Sequence, residues 1–239
     1  MLSLPVKNTE ENYEVNPSKI IALGMNYKDH IDENIAKKTV KEEKSVIPDE
    51  PILFNKTPNV LIGPEDKIIL PSFINKYGFE NPRTDYEAEL AVIMGKKGKH
   101  IAQEEANEYI FGYTCMNDVS QRNLQTGDKS GWFRGKSLDT FGPIGPQIVK
   151  SEDIGNPNNL DISARLNGET VQSSNTNQMI FPVSEIVSFV SDNFTLNPGD
   201  IIMTGTPSGV GALSAGDTIE IEIENIGALE NEVDRESNL

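Results

Sequence analysis

The stretch Asp85-Tyr-Glu-Ala-Glu-Leu-Ala-Val-Ile-Met-Gly95 predicts a strand that runs into the core of the protein. Side chains alternate between the two faces of a strand, so Glu87 and Glu89 emerge side by side from one face. Ala91 and Ile93 continue that face, and the opposite face is apolar throughout, which indicates a largely buried strand. Two buried carboxylates repel each other and lose hydration, so we expect a positive charge between them. The pair therefore suggests a metal site, although the same Glu-x-Glu spacing also occurs on solvent-facing strand edges.

The whole chain has the length and composition of a globular protein with one large domain or two small ones. It has 239 residues, of which 36% are hydrophobic and 24% charged. The formal net charge of −16 argues against a nucleic-acid partner, because a phosphate backbone would be repelled. No apolar run reaches membrane-spanning length, and the first residues lack a signal-peptide pattern. The single cysteine, Cys115, cannot form an internal disulfide, which fits a reducing compartment. Together these features predict a cytoplasmic protein without a membrane partner.

Strand patterns outnumber helical patterns along the chain. Apolar residues at helical spacing predict a helix over 182–191, and a short helix is predicted over 103–109. Residues 34–50 are rich in Lys and Glu and predict an exposed segment. The balance favours an α+β or mostly β domain. Besides 85–95, the predicted strands are 20–24, 67–71, 109–116, 200–204 and 218–224, the last with its glutamates facing solvent.

A third carboxylate follows the apolar strand 109–116. Asp118 comes directly after this strand, at a position where it can join Glu87 and Glu89 at the rim of a cleft. Three converging carboxylates suit a hard divalent cation such as Mg²⁺ or Mn²⁺ and leave coordination positions open for substrate oxygens. Zinc is a poorer fit because no His/Cys cluster accompanies the acidic residues.

Candidate acid–base chemistry comes from His30 and Glu33, which share one face if their segment is helical. A carboxylate beside an imidazole orients the ring and raises its basicity, which gives a general base able to activate water. The alternative is an exposed helical turn with an incidental neighbour. The other histidine, His100, follows a run of lysines and glycine and predicts a surface turn.

Two glycine-containing segments offer groups for an anionic substrate. In 131–140, Arg134 and Lys136 could receive such a substrate or stabilise a developing enolate, unless the segment is a solvated turn. In 204–211, backbone N–H groups and the Thr206 hydroxyl could hold a carboxylate, unless the segment is only a tight turn. The second segment lacks the Gly-Lys-Ser/Thr ending of a phosphate-binding P-loop.

Taken together and in order, these motifs resemble the fumarylacetoacetate hydrolase family, over residues 19–233. The nearest likeness is to its acylpyruvase and 2-hydroxyhepta-2,4-diene-1,7-dioate isomerase members. The motifs that carry the resemblance are Gly24-Met-Asn-Tyr-Lys-Asp-His30, Asp85-Tyr-Glu-Ala-Glu-Leu90, Asn117-Asp-Val-Ser-Gln-Arg122, Gly135-Lys-Ser-Leu-Asp-Thr140 and Thr204-Gly-Thr-Pro-Ser-Gly-Val-Gly211.

The resemblance implies a mixed β-roll of the type found in the family's C-terminal domain, and a homodimer. It implies a short N-terminal segment (1–18), a single catalytic domain (19–239) and a lid over 28–50. The lid would carry the His–Glu pair, matching His30 and Glu33. Mg²⁺ or Mn²⁺ would be held by the carboxylates matching Glu87, Glu89 and Asp118.

The resemblance also assigns positions at the substrate. Lys136 and Thr206 match residues that contact substrate, and Arg122 and Gln125 match residues near the site. Two positions depart from the family's usual Asp-Val-Ser-Ala-Arg-Asp motif, because Gln121 replaces the Ala and Asn123 the second Asp, and these changes bear on the surroundings of the site and on substrate choice.

Three functions remain open at this point. The leading prediction is cleavage of a C–C bond in a small anionic 2-oxo acid, either by hydrolysis of an acylpyruvate or by decarboxylation of an oxaloacetate-type diacid. The second is an isomerase or tautomerase of a hydroxydienedioate or oxaloacetate, which needs the same metal but no water nucleophile. The third is a binding protein that uses a cation to hold a dicarboxylate, for which a His–Glu base would have no purpose.

Overall fold

The fold was analysed in a computed structural model that describes residues 2–29, 47–127 and 132–237. The predicted lid, 28–50, and its His30–Glu33 pair therefore lie mostly outside the described residues. Within those ranges most of the regular structure is β. The strands are β1 (Ser3–Pro5), β2 (Asn12–Glu14), β3 (Ile20–Gly24), β4 (Ile52–Lys56), β5 (Leu61–Ile62), β6 (Ile68–Leu70), β7 (Thr84–Tyr86), β8 (Ala88–Met94), β9 (Ile110–Asn117), β10 (Ser120–Gln121), β11 (Gly142–Lys150), β12 (Asp161–Leu166), β13 (Glu169–Asn175), β14 (Ile201–Met203), β15 (Gly211–Ala212), β16 (Thr218–Ile223) and β17 (Gly227–Arg235).

The helices are short and lie at the ends and edges of the sheets. The longest, over 183–193, buries Val183, Ile186, Val187 and Val190, the apolar positions that predicted it. The short helix expected over 103–109 is present as a 3₁₀ turn that continues into an α-helical turn. The α-helices are α1 (Ala106–Tyr109), α2 (Arg122–Gly127), α3 (Phe133–Lys136) and α4 (Val183–Asn193), and the 3₁₀ turns are Pro58–Val60, Ser72–Tyr77, Gln103–Glu105 and Thr176–Gln178.

A seven-stranded mixed sheet forms the centre of the protein, in the order β4-β3-β14-β8-β9-β11-β5. Its middle strand β8 pairs with β14 and β9 on its two sides, both antiparallel. Every residue of β8 is buried, so both faces of the strand are covered, as its apolar run predicts. The acidic side chains that this strand carries therefore emerge inside the protein.

A five-stranded sheet, in the order β13-β12-β16-β17-β6, packs against the central sheet. Strands β12 and β16 contact β8, and β17 contacts β9 and β11. In β16 the three isoleucines are buried and the glutamates point outward, as the alternation predicts. The two curled, mixed sheets with few helices confirm the predicted α+β, mostly β fold.

The predicted strand 85–95 is interrupted at one residue, which corrects the sequence interpretation. Glu87 separates β7 from β8, and the two strands belong to different sheets. Strand β7 joins β10 and β15 in a three-stranded sheet beside the centre. The Glu87 N–H donates to the side-chain oxygen of Asn117 (2.9 Å) instead of to a neighbouring strand. The interruption places the Glu87 carboxylate at the junction of two sheets.

The outer parts of the chain cover the ends of this framework. Strands β1 and β2 form an antiparallel hairpin whose Leu4 is fully buried, and β1 contacts β11. His100 lies in an exposed turn, as expected, where its ring pairs with Asp192 (2.8 Å). Cys115 is fully buried in β9, and burial raises the pKa of its thiol. No helix among the described residues is long and apolar enough to cross a membrane.

Candidate metal centre

Strand register places Glu87 opposite Asp118. Asp85 pairs with Ser120 in the β7–β10 ladder, and Ala88 pairs with Asn117 in the β8–β9 ladder. Both ladders follow one register across the interruption, so Glu87 lies opposite Asp118. The Asp118 N–H donates to the Glu87 carbonyl oxygen (2.9 Å), which fixes this pairing.

Glu89 completes a cluster of three buried carboxylates with Glu87 and Asp118. One oxygen from each residue lies within 4.8 Å of the others. Glu89 and Asp118 are essentially inaccessible to solvent, and Glu87 is only 5% exposed. Like charges this close destabilise a sheet unless they are compensated, so the surroundings of the cluster determine whether it is tolerated.

Lys136 supplies much of that compensation from the last turn of α3. Its Nζ donates to Oε2 of Glu87 (2.7 Å) and to Oδ2 of Asp118 (2.5 Å). Burial alone lowers the pKa of Lys136, but the charges of Asp118 and Glu87 outweigh burial and raise it. An ammonium has three N–H donors, and hydrogen bonds to the described residues use two of them, so the third is available to a molecule in the cavity.

Lys56 is a second buried lysine that the sequence interpretation did not include. Its Nζ donates to Oδ1 of Asp118 (2.6 Å) and to the carbonyl oxygen of Val119 (3.3 Å). Burial lowers the pKa of Lys56, and the Asp118 charge offsets this only in part. A lysine that ends the apolar run 51–56 was the available signal, since a buried strand seldom carries one without a partner.

Glu89 has no such cation among the described residues. Its Oε2 accepts the N–H of Gly205 (2.8 Å), from the loop after β14. Burial, together with the charges of Asp118 and Glu87, raises the pKa of Glu89 well above its usual range. Gly205 has φ of +94°, and a Cβ there would lie 2.9 Å from the Asn26 side chain, so only glycine fits this approach.

Arg122 at the start of α2 links the cluster to an outer carboxylate. Its Nη2 pairs with Oε1 of Glu87, its Nε donates to Oδ2 of Asp85 (2.8 Å), and its Nη1 donates to Gln125 Oε1 (2.9 Å). Burial lowers the pKa of Arg122, but Glu87 and Asp85 outweigh burial and raise it. Asp85 also accepts from the Nε of Arg83 (2.6 Å), a residue that the sequence interpretation did not consider.

A cavity of about 490 Å³ opens over these groups. Glu87 and Glu89 of the acidic cluster line it together with Lys136, Arg122, Gln125 and Thr206, whereas Asp118 lies beneath and is not part of the lining. The Thr206 hydroxyl oxygen accepts from Gln172 Nε2 (2.9 Å), which holds the residue in place. The apolar part of the lining consists of Leu23, Phe54, Trp132 and Val210, and the Phe54 ring centroid lies 4.9 Å from Lys136 Nζ.

The His30–Glu33 pair and Arg134 were also predicted to lie at the site, but they are not among the described residues that line the cavity. His30 and Glu33 lie outside the described ranges; the last residue before them, Asp29, accepts from the Ser208 hydroxyl (3.1 Å) in the loop that holds Thr206. Arg134 is not part of the cavity lining, and its guanidinium lies against Tyr77 instead.

The residues present fit a hard divalent cation. All the candidate ligand atoms are carboxylate oxygens, the donors that Mg²⁺ and Mn²⁺ prefer. Among the described residues, three cations contact Glu87 and Asp118, and none contacts Glu89 directly. A metal ion in reach of all three carboxylates would give Glu89 such a contact.

Comparisons with known proteins confirm the family that the motifs resemble and agree with the fold. A family model described as fumarylacetoacetate (FAA) hydrolase C-terminal matches residues 19–234. The mitochondrial oxaloacetate tautomerase fahd2 of Xenopus laevis is 44% identical over 91% of this chain and 66% of its own.

Two solved structures that are similar to this chain belong to proteins with different named activities, an isomerase and a hydrolase. The 5-carboxymethyl-2-hydroxymuconate delta-isomerase of Mycobacterium smegmatis superposes with a TM-score of 0.79 at 37% identity, over 93% of this chain and 78% of its own. The fumarylpyruvate hydrolase of Pseudomonas aeruginosa, in complex with Mn²⁺ and pyruvate, gives 0.82 at 29% identity, over 98% of this chain and 96% of its own.

Proposed function

Because this chain belongs to the fumarylacetoacetate hydrolase family, we propose that it is a divalent-metal-dependent enzyme that forms the enolate of a small 2-oxo acid. The observation that carries the proposal is the Lys136 ammonium at the cavity, which donates to Glu87 and Asp118 and whose third N–H has no hydrogen-bond partner in the part of the chain that the structure describes. A buried cation beside a developing oxyanion stabilises the transition state more than the ground state.

Glu87, Glu89 and Asp118 are proposed to hold Mg²⁺ or Mn²⁺. The complex of the Pseudomonas relative with Mn²⁺ and pyruvate supports both the metal and the class of substrate. When bound, the cation supplies Lewis acidity at the carboxylate and keto oxygens of a 2-oxo acid. Lys136 Nζ then balances negative charge as the enolate develops, and Thr206 and Gln125 orient the substrate from the cavity wall.

Two reactions use this same enolate, and the relatives favour proton transfer. A tautomerase returns the proton to a different atom of the substrate and needs no water nucleophile. The oxaloacetate tautomerases among the relatives are 43–44% identical to this chain, whereas two hydrolases of known structure, which act on fumarylpyruvate and fumarylacetoacetate, are 29% and 39% identical. We therefore place tautomerisation of an oxaloacetate-type substrate first, although the sequence by itself favoured cleavage.

Cleavage of a C–C bond is the second candidate, and the His30–Glu33 pair favours it. In a hydrolysis, His30 oriented by Glu33 would take a proton from the water that attacks the distal carbonyl. The pair is proposed to lie on the lid, 28–50, of the single catalytic domain, 19–239. In decarboxylation no water attack is needed, and the groups that stabilise the enolate would suffice.

The test is turnover of Mg²⁺- and Mn²⁺-loaded protein with oxaloacetate, hydroxydienedioates and acylpyruvates, with products identified by mass. A tautomerase or isomerase gives a product of unchanged mass, a decarboxylase releases CO₂, and a hydrolase releases two fragments. His30→Ala should abolish hydrolysis and leave metal affinity unchanged. Tight metal-dependent binding without turnover of any of these compounds would instead support a binding protein.

A further inference from the structure

Four side chains in a row line the cavity from its buried end to its mouth. Arg83, Asp85, Glu87 and Glu89 occupy alternate positions along the chain, and all four line the same cavity. The Arg83 side chain turns back along this row, because its Nε donates to Oδ1 of Asp85 (2.6 Å). Glu87 and Glu89 are buried at the inner end, whereas the Arg83 side chain is 45% exposed at the outer end.

Two guanidinium groups meet at Asp85, and one of them, Arg122, also pairs with Glu87. Asp85 is a single carboxylate shared by two guanidinium groups, with Arg83 on Oδ1 and Arg122 on Oδ2. Arg122 engages Asp85, Glu87 and Gln125 through three different nitrogens. Arg83 uses only its Nε in this way, and its two terminal nitrogens have no hydrogen-bond partner within residues 2–29, 47–127 and 132–237.

The apolar side chains of the same cavity suit a short carbon chain. Trp132 packs edge-on against Phe54, with ring centroids 5.2 Å apart, and both line the cavity with Leu23. A molecule held at the inner carboxylates by its 2-oxo acid end would place apolar carbons along this wall. Any group at its far end would then lie towards Arg83.

We propose that Arg83 binds a second, distal carboxylate of the substrate, so that the enzyme selects 2-oxo dicarboxylates over 2-oxo acids with an uncharged end. This inference rests on the proposed function, because it assumes that the 2-oxo acid end is held at the metal centre. A guanidinium with two unused nitrogens matches a carboxylate with two parallel hydrogen bonds, and Asp85 holds the fork in position through Nε.

The test compares two ligands of equal length, 2-oxopentanedioate and 2-oxopentanoate, which differ only in the terminal carboxylate. Calorimetric titration of Mn²⁺-loaded protein should show a preference for the diacid of about tenfold, as expected for one partly exposed charge-assisted pair. Arg83→Gln should abolish the preference by weakening the diacid alone, and Arg83→Lys should keep part of it. Arg165→Gln removes an equal charge from a pair with Glu220 and Glu222 outside the cavity lining, and should leave the preference unchanged.

Oxalate separates failure of this inference from failure of the proposed function. It carries the chelating end and nothing that reaches Arg83, so Arg83→Gln should bind it as tightly as the natural protein does. Equal losses for the diacid, the monoacid and oxalate in Arg83→Gln would show that Arg83 only supports the site, and would overturn the inference. A natural protein with no preference for diacids of four to six carbons would overturn it as well. If oxalate fails to bind with Mn²⁺ present, the proposed function fails and this inference fails with it.

Discussion

Two Glu-x-Glu pairs in this protein have the same spacing but different environments. Glu87 and Glu89 point into the protein beside a cavity, whereas Glu220 and Glu222 lie on the outer side of β16. The inner pair is surrounded by Lys136, Arg122 and Asp118, contributed by other segments of the chain. The outer pair shares one cation, Arg165 of the neighbouring strand β12, at the surface.

The difference lies in what the neighbouring strands bring to each pair. A carboxylate at the surface is stabilised by water, so the outer pair needs no particular partner. A buried carboxylate depends on charges placed by residues far away in sequence, and the inner pair receives them in an uneven arrangement. Basic side chains contact Glu87 and Asp118, but within the described ranges none contacts Glu89, which leaves a place for a metal ion.

Removing Lys56 should have the largest effect on stability. Lys56→Met leaves Asp118 with one buried cation instead of two, and we expect the free energy of unfolding without metal to fall by about 3 kcal/mol. Added Mn²⁺ should stabilise the variant more than the natural protein, because the ion replaces part of the missing charge. Chemical denaturation with and without Mn²⁺ measures both effects. Lys67→Met, at an exposed lysine paired with Glu232 and Asp234, is the control and should change neither.

Glu89→Gln tests the uncompensated carboxylate directly. The substitution keeps the shape of the side chain and removes its charge, so Mn²⁺ affinity should fall by about a hundredfold, or roughly 2.7 kcal/mol. The metal-free protein should be no less stable than the natural one, since the buried charge that burial disfavours is gone. Unchanged Mn²⁺ affinity in a calorimetric titration would remove Glu89 from the proposed ligands.

Asp200 is a buried carboxylate that, unlike Glu89, is bound by a basic side chain. Burial raises its pKa, but hydrogen bonds from Lys19, Ser18 and the Asn197 N–H outweigh burial and lower it. A depressed pKa contributes stability above the unfolded value of about 3.9, and this is lost as the pH falls through the folded pKa.

We therefore expect Asp200→Asn to cost about 1–2 kcal/mol of unfolding free energy at pH 7 and less at pH 3. Urea denaturation at the two pH values measures the difference. A penalty that is equal at both would mean that the amide geometry matters and the charge does not.

Glu222→Gln should have the smallest effect. The residue pairs with Arg165 on an exposed strand face, so the free energy of unfolding should change by no more than about 0.5 kcal/mol. Mn²⁺ affinity should be the same as in the natural protein. A larger change in either quantity would mean that the two Glu-x-Glu pairs differ less than their surroundings indicate.

The features that could be predicted from the sequence are those that depend on the pattern of neighbouring residues. Apolar periodicity identified α4 and the long strands β8, β9 and β16, and the alternation in β16 oriented its glutamates correctly. The long strands β11, β12, β13 and β17 were not predicted. The motifs identified the family. The interruption at Glu87 was missed because it depends on side-chain and backbone hydrogen bonds from Asn117 and Asp118, thirty residues away in sequence.

Residues around the acidic cluster were harder to predict for the same reason. The apolar run 51–56 hints that Lys56 needs a partner, but it does not show that the partners are Asp118 and Val119, which are 62 and 63 residues away in sequence. Arg83 looks like an ordinary surface arginine until Asp85 is seen to be shared. The metal-ligand and substrate roles of the predicted site residues stay predictions until the variants are measured.

The common register of the two ladders around Glu87 has a consequence for insertions and deletions. Asp85–Ser120 and Ala88–Asn117 lie on either side of the Glu87–Asp118 pair, so the two segments match residue for residue. Losing one residue from either segment would turn an acidic side chain to the opposite face, and a compensating change on the other segment could not restore it. Related chains should therefore vary in length at turns such as 167–168 and keep a fixed length between 85 and 89 and between 117 and 120.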